Sequence, residues 1–154
     1  MSELATGQLT KRPPTMPDDY AALLALQRES WEINFGSYAF SERTFRLSVE
    51  SGCKHREITV YDACDGVAGF LWLDTRSAAR SAHIRHIQVA KKWWGRGIGR
   101  RLVADAVREC RRQGREALTL NVTKSNERAM RMYEGLGFVA IEDYGERQRM
   151  RLAL

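Results

Sequence analysis

The fold is indicated most strongly by Val89–Leu102, with the sequence VAKKWWGRGIGRRL. An apolar run, His83–Val89, precedes this stretch, and a strong helical pattern follows it, so a strand, a tight loop and a helix start are predicted. The alternating glycines Gly95, Gly97 and Gly99 keep side chains out of the loop. Successive backbone N–H groups then converge on one point, where the helix N-terminus adds partial positive charge. We expect this loop to bind a phosphate or pyrophosphate.

Other glycine loops fit the stretch less well. The dinucleotide fingerprint needs a third glycine where Leu102 stands, and the P-loop needs Gly-Lys-Ser/Thr where this chain has Gly99-Arg100-Arg101. A glycine turn that binds nothing is the remaining alternative. Five cations accompany the loop, which favours an anionic guest: Lys91, Lys92, Arg96, Arg100 and Arg101.

Composition indicates one globular domain. The chain has 154 residues, 44% hydrophobic and 29% charged, and we predict a flexible tail at 1–7 followed by a single domain at 8–154. No apolar run approaches the roughly 20 residues of a membrane span, and no signal-peptide core opens the chain. We therefore expect a cytoplasmic protein without a membrane partner. The net charge of +6 favours a phosphorylated small ligand, although charge alone does not exclude RNA.

The cysteines and histidines form no metal-binding pattern. Cys53, Cys64 and Cys110 are odd in number and scattered, so neither a disulfide framework nor a metal spacing is present. His83 and His86 are three residues apart on a predicted strand, which points them to opposite faces. We expect no metal, and Cys110 is predicted to be buried on the apolar face of the helix after the loop.

The remaining periodicities predict the order β-α-α-β-β-β-α-β-α-β-β. The predicted strands are Gln8–Arg12, Glu57–Asp62, Val67–Asp74, Ser81–Val89, Ala117–Val122, Phe138–Glu142 and Gln148–Leu154. The predicted helices are one that opens at Pro17–Asp19 with Asp18 as cap and is broken by Asn34–Ser37, then Ser41–Gly52, Ile98–Gln113 and Asn126–Leu136. A mixed sheet flanked by helices, α+β in character, follows from this order.

A second block points to a family. Leu120–Phe138 has the sequence LNVTKSNERAMRMYEGLGF, and together with the glycine loop it strongly resembles the GCN5-related N-acetyltransferases (the GNAT family). Asn126, Ala129, Tyr133 and Gly137-Phe138 stand at the family's spacing. The resemblance implies a seven-stranded mixed sheet, splayed between its fourth and fifth strands and flanked by about four helices. It also implies acetyl-CoA as co-substrate, without a metal, and direct transfer of the acetyl group to a primary amine in a ternary complex.

The resemblance also assigns roles to residues. The implied acetyl-CoA contacts are Ile87, Gln88, Val89, Trp94, Gly95, Arg96, Gly97, Ile98, Gly99, Arg100, Asn126 and Tyr133. Tyr133 would protonate the leaving thiolate, and the Val89 N–H would stabilise the developing oxyanion. His83 stands where histone-type members have a Glu and would accept the amine's proton. Asn126 as a helix N-cap, Tyr133 as a core residue and His83 as a polar strand residue remain the structural alternatives.

Two positions depart from the family pattern. Trp94 replaces the usual Gln or Arg, and Asn121 replaces the Glu that peptide N-terminal acetylating members carry. The alternatives are therefore a non-catalytic acyl-CoA-binding sensor and, from the basic surface alone, a tRNA-directed acetyltransferase toxin. We expect an amine-bearing acceptor, a small molecule or a protein or peptide, rather than nucleic acid, and a monomer or homodimer.

The family shapes its acceptor pocket from two regions of the chain. One is Trp31–Phe40, from which Trp31, Asn34, Phe35 and Tyr38 are the predicted acceptor contacts. The other is the turn Asp143-Tyr144-Gly145. Acidic side chains near both regions would attract a cationic amine: Glu29, Glu32, Glu42, Asp143 and Glu146.

Overall fold

A computed structural model describes residues 8–36 and 38–154, so the predicted tail at 1–7 lies outside the described residues. The strands are β1 (Thr10–Arg12), β2 (Ile58–Ala63), β3 (Gly66–Asp74), β4 (Ser81–Val89), β5 (Ala117–Thr123), β6 (Val139–Asp143) and β7 (Arg147–Ala153). The α-helices are α1 (Tyr20–Phe35), α2 (Glu42–Lys54), α3 (Ile98–Arg112) and α4 (Glu127–Gly135), and a 3₁₀ turn spans Lys91–Trp93. Among the described residues, no helix is both long and apolar enough to cross a membrane.

The strands form one seven-stranded mixed sheet in the order β1-β2-β3-β4-β5-β7-β6. The β4–β5 pairing is parallel and runs from Ser81 opposite Ala117 to Ile84 opposite Leu120. Beyond that last pair, β4 continues to Val89. This short pairing, in a mixed sheet with four helices, confirms the predicted fold class.

The chain divides into two compact units, of which the first comprises the described residues up to Trp72 together with His86–Leu102. In this unit α1 and α2 pack against β2 and β3. The large apolar side chains of the two helices recur at helical spacing and therefore form one face on each helix. The buried core consists of Leu23, Leu26, Phe45, Val49, Ile58, Val60, Phe70 and Trp72.

The cap predicted for α1 is wrong. Asp19, not Asp18, precedes the first helical residue, and its side chain makes no capping hydrogen bond. The Asp19 carboxylate instead accepts hydrogen bonds from the Arg12 guanidinium at 2.7 and 2.9 Å and from the Thr15 N–H at 2.6 Å. These contacts, Arg12 first among them, lower the pKa of Asp19. The start predicted for α2 agrees with the structure, where the helix begins at Glu42 and Ser41 caps it by accepting the Thr44 N–H at 3.2 Å.

A glycine in β3 allows an unusually close approach of two strands. A Cβ atom on Gly69 would collide with the carbonyl oxygen of Gln88 in β4. The Ala90 N–H, just beyond β4, donates to the Ala68 carbonyl at 2.7 Å. The end of β4 is thus fixed against β3 by direct backbone contact.

The second unit comprises Leu73–Arg85 and Val103–Leu154. The α3 residues Val103, Ala106 and Cys110 are buried there, as are alternate residues of β5. Burial raises the pKa of Cys110 to about 11, so the predicted buried thiol is confirmed and is protonated at neutral pH. The loop between β3 and β4 is held by Arg115, whose guanidinium donates to the Thr75 carbonyl at 2.5 Å and the Ala78 carbonyl at 2.6 Å.

Candidate functional site

The first unit contains the glycine loop between β4 and α3. Gly95 and Gly97 have φ angles of +77° and +78°, which only glycine adopts without strain, and no heavy atom lies within 4 Å of a Cβ built on either. Gly99, by contrast, lies in the first turn of α3. The loop therefore leaves open space beside its backbone where α3 begins, which is the geometry that an anion requires at a helix N-terminus.

Three of the loop's cations, Lys91, Lys92 and Arg96, contact nearby side chains. The Lys92 ammonium pairs with Asp65 at 2.6 Å. The Arg96 guanidinium lies over the Trp93 ring, 4.7 Å from its centroid, and the Lys91 ammonium lies 5.8 Å from the Trp94 ring. These contacts orient the loop's positive charges without cancelling those of Lys91 and Arg96.

Trp94, the departure from the family pattern, has a structural role. Its indole N–H donates to the Val89 carbonyl at 2.8 Å, and this contact ties the loop back to the last residue of β4. Val89 is the residue whose backbone N–H is predicted to stabilise the oxyanion. The indole thus fixes the position of a predicted catalytic backbone group.

We expect Trp94→Phe to lower the free energy of unfolding by ~1 kcal/mol, because phenylalanine keeps an aromatic ring but loses the donor to Val89. Urea unfolding measures this loss. Trp31→Phe is the comparison variant, because it also removes one indole donor, here to the Tyr38 carbonyl elsewhere in the first unit. A Trp94→Phe variant as stable as the wild type would show that this hydrogen bond contributes nothing.

Gln88, a predicted cofactor contact, is 6% exposed, and its amide nitrogen donates to the side-chain oxygen of Gln27. Within the described part of the chain, its own side-chain oxygen has no hydrogen-bond partner. Gln27, on α1, is equally buried. This pair joins α1 to β4 beside the loop, and sequence patterns offered no signal for it because the two residues are 61 positions apart.

His83 lies in the second unit, on β4. Its Nδ1 is 2.7 Å from the Thr119 hydroxyl on the paired strand β5, and that hydroxyl lies 3.4 Å from the Ala82 carbonyl. Burial lowers the pKa of His83, and the positive charge of Arg149 lowers it further. The imidazole is therefore neutral at pH 7 and able to accept a proton.

Sequence reasoning missed the arginines near His83. Arg147 and Arg149 alternate on β7, and both contact Asn121 on β5. Arg149 Nε donates to the Asn121 side-chain oxygen at 3.1 Å, and Arg147 Nη2 donates to its carbonyl at 3.4 Å. The alternating RQRMR pattern of β7 was the available signal, because residues two apart on a strand share a face.

Tyr133 lies on α4 in the second unit and is 8% exposed. Its ring packs edge-on against Phe138, with the ring centroids 5.8 Å apart. Burial raises the pKa of Tyr133 to about 12, so the phenol keeps its proton at neutral pH. Asn126 caps the same helix by accepting the Ala129 N–H at 3.2 Å, as the structural alternative predicted.

The predicted acceptor contacts lie at the end of α1 and just after it. Trp31 and Phe35 pack together with ring centroids 4.7 Å apart, and the Trp31 indole donates to the Tyr38 carbonyl at 2.9 Å. The Tyr38 side chain is 60% exposed. Asn34 instead turns its amide back to Ser30 on its own helix, with both donor–acceptor distances 3.1 Å.

Three of the five acidic residues expected to attract an amine have other partners. Glu29 accepts the backbone N–H of Lys91 at 2.8 Å. Glu42 pairs with Arg28 and Arg46, and Asp143 pairs with Lys124 at 2.8 Å. The described residues include no group of three or more His, Cys, Asp or Glu side chains placed to hold a metal ion.

Comparison with known proteins identifies the family. The sequence profile of the acetyltransferase (GNAT) family matches residues 20–138. A mycothiol acetyltransferase of Nocardiopsis dassonvillei is 34% identical over 80 residues, which cover 47% of this chain and 24% of that protein. This chain therefore spans only about a quarter of the length of that curated relative.

Solved structures share the fold. Ard1 from Thermoplasma volcanium superposes with a TM-score of 0.77 at 19% identity, covering 96% of this chain and 98% of that one. The PaiA N-acetyltransferase from Thermoplasma acidophilum, solved in complex with coenzyme A, gives a TM-score of 0.73 at 17% identity over 95% of this chain and 99% of that one. This chain belongs to the acetyltransferase (GNAT) family, whose enzymes use acetyl-CoA as co-substrate.

Proposed function

We propose that this protein transfers an acetyl group from acetyl-CoA to a primary amine by direct attack of the neutral amine. The observation that carries the proposal is the loop at Gly95 and Gly97, with its open backbone at the start of α3 in a chain of this family. Its amides would hold the pyrophosphate, and the side chains of Arg96 and Arg100 would add positive charge. Backbone groups of Ile87 and Val89 would pair with the pantetheine arm.

His83 is proposed as the base. The Thr119 hydroxyl donates to the Ala82 carbonyl at 3.4 Å, which leaves its oxygen to accept a hydrogen bond from Nδ1–H of His83. In that tautomer Nε2 carries the lone pair and takes the proton from the amine. No acyl-enzyme is required, because the amine itself is the nucleophile.

Tyr133 is proposed as the acid. Its phenol is protonated at neutral pH, and no hydrogen bond within the described residues engages its hydroxyl. It would give its proton to the leaving thiolate. Asn126, whose side-chain oxygen caps α4, would also contact the pantetheine or phosphate region, and Trp31, Phe35 and Tyr38 would line the acceptor side.

The pH profile tests the base. Because the pKa of His83 is lowered, the acidic limb of kcat/KM is expected to have its midpoint below pH 6.5, and activity falls as protonation of the imidazole removes the base. In Arg149→Gln the midpoint should move to higher pH, since one of the charges that lower the pKa is gone. An acidic limb that persists unchanged in His83→Ala would assign proton acceptance to another group.

Release of free CoA thiol, measured in the steady state with a panel of amines and peptides, tests the activity itself. Amine-dependent release supports the proposal. Acetyl-CoA binding by calorimetry without thiol release from any acceptor would favour the sensor alternative. Binding of tRNA that falls steeply with salt would favour the tRNA-directed alternative.

A further inference from the structure

One face of β4, β5 and β7 carries several arginine side chains around His83. Sheet register places His83 opposite Thr119 and Asn121 opposite Arg149, so these four side chains share a face of three adjacent strands. Arg85, two residues after His83, and Arg147, two residues before Arg149, extend the same face. We call this set of three arginines, Arg85, Arg147 and Arg149, the basic face.

Positive charge outweighs negative charge around His83. Arg149, Arg85 and Arg147 all lower the pKa of His83, whereas Asp74, whose own pKa Arg85 helps to lower, raises it. The Asp74 carboxylate is held by the Ser77 hydroxyl and by the backbone N–H groups of Arg76 at 2.9 Å and Ser77 at 3.1 Å.

Two contacts define the surroundings of the Arg149 guanidinium. Its partners are the Asn121 amide and the Tyr144 ring, 5.8 Å away, and in the described part of the chain it forms no salt bridge. Glu142, its cross-strand neighbour on β6, accepts the Tyr144 hydroxyl at 2.5 Å instead. A carboxylate that approached Arg149 would therefore meet a guanidinium without a competing anion on it.

Arg147 is held differently. It is half-buried, and desolvation lowers its pKa. A charge that burial penalises in this way gains from any anion brought close to it, because the anion replaces part of the lost hydration. Arg147 Nη2 also donates to the Asn121 backbone carbonyl at 3.4 Å, which places its guanidinium beside that of Arg149 on the same face of β7.

We propose that the acceptor is an amine that also carries a carboxylate, and that Arg149, assisted by Arg147, binds this carboxylate beside His83. The inference rests on the proposed acetyltransferase activity and names its substrate class. The planar guanidinium matches a carboxylate with two parallel hydrogen bonds, and the charge holds the acceptor while the amine is left for His83. The chain thus selects an anionic acceptor rather than the polycationic amine that acidic pockets attract.

Matched acceptors test the class. Each amino acid of a panel is assayed beside its α-amide and its decarboxylated amine, at a pH where the free-amine fraction of each is known. We expect kcat/KM for the carboxylate-bearing member to exceed that of its amide by about tenfold or more, mainly through KM. Thiol release that shows no preference, or favours the amide, overturns the inference while the proposed function stands.

Variants assign the preference to Arg149. Arg149→Gln is expected to reduce the preference to near unity by raising KM for carboxylate-bearing acceptors, and Arg149→Lys to retain part of it. Arg112→Gln, which removes the same charge from an exposed ion pair on α3, should leave the preference unchanged. A preference that survives Arg149→Gln in full contradicts the assignment.

A binding measurement separates this inference from the activity. Calorimetric titration of N-acetyl-amino acids and their amides, with CoA present, needs no turnover. The carboxylate forms are expected to bind at least tenfold more tightly in the wild type, and equally weakly in Arg149→Gln. Equal binding of acid and amide to the wild type overturns the proposal whether or not any amine is acetylated.

Discussion

Tyr133→Phe is expected to lower kcat by about 10²-fold, the lower end of the range for a lost general acid, because a thiolate leaves fairly well unaided. The ring that packs on Phe138 is retained, so stability and acetyl-CoA affinity should change little. Single-turnover measurements of thiol release, with acceptor saturating, report the chemical step directly.

Tyr20→Phe is the control for this variant. It also removes one phenol hydroxyl, which lies 3.4 Å from Glu42 in the first unit, and should leave kcat unchanged. Full kcat in Tyr133→Phe, under conditions where chemistry limits the rate, would make Tyr133 a core residue only.

Gly97→Val is expected to weaken acetyl-CoA binding by about 30-fold or more. At φ +78° a β-branched residue is strained by ~1–2 kcal/mol or more, and its side chain fills the space beside the loop where the phosphates would lie. Calorimetry of acetyl-CoA binding measures the loss.

Gly114→Val separates strain from binding. Gly114, in the turn just after α3, has φ +73° and open space around it, so valine there imposes a similar backbone strain away from the loop. It should lower the melting temperature without changing acetyl-CoA affinity. Wild-type affinity in a folded Gly97→Val protein would refute the phosphate-loop assignment.

Local patterns predicted the elements well. The helix expected at Ile98–Gln113 is found at Ile98–Arg112, and the strand expected at Ser81–Val89 has those same bounds. Both predictions rest on periodic apolar side chains and on glycines at the ends, which are properties of neighbouring residues. Asp18 was predicted to cap α1, but the helix begins one residue later, after Asp19; the Asp19 carboxylate is held by Arg12 instead, a contact that depends on where β1 lies and not on the helix itself.

The environment of the candidate site required the structure. The resemblance to the family pointed to His83 and Tyr133, whose roles stay predictions. It did not predict which charged side chains lie around them. Arg149 reaches Asn121 from 28 positions away, and its effect on the pKa of His83 depends on strand register. The sequence suggested acidic residues as the attraction for the acceptor, whereas the charged groups that shift the pKa of His83 are mainly basic.

The contact between Gly69 and the Gln88 carbonyl limits how this protein can diverge. Position 69 has no room for a side chain while β4 keeps its path. Substitution of Gly69 is therefore prevented by the backbone of the neighbouring strand and not by the conformation of residue 69 itself. A descendant with alanine at this position must also have moved the end of β4, which includes Val89. The glycine therefore links the evolutionary history of an ordinary strand residue to that of the glycine loop that follows β4.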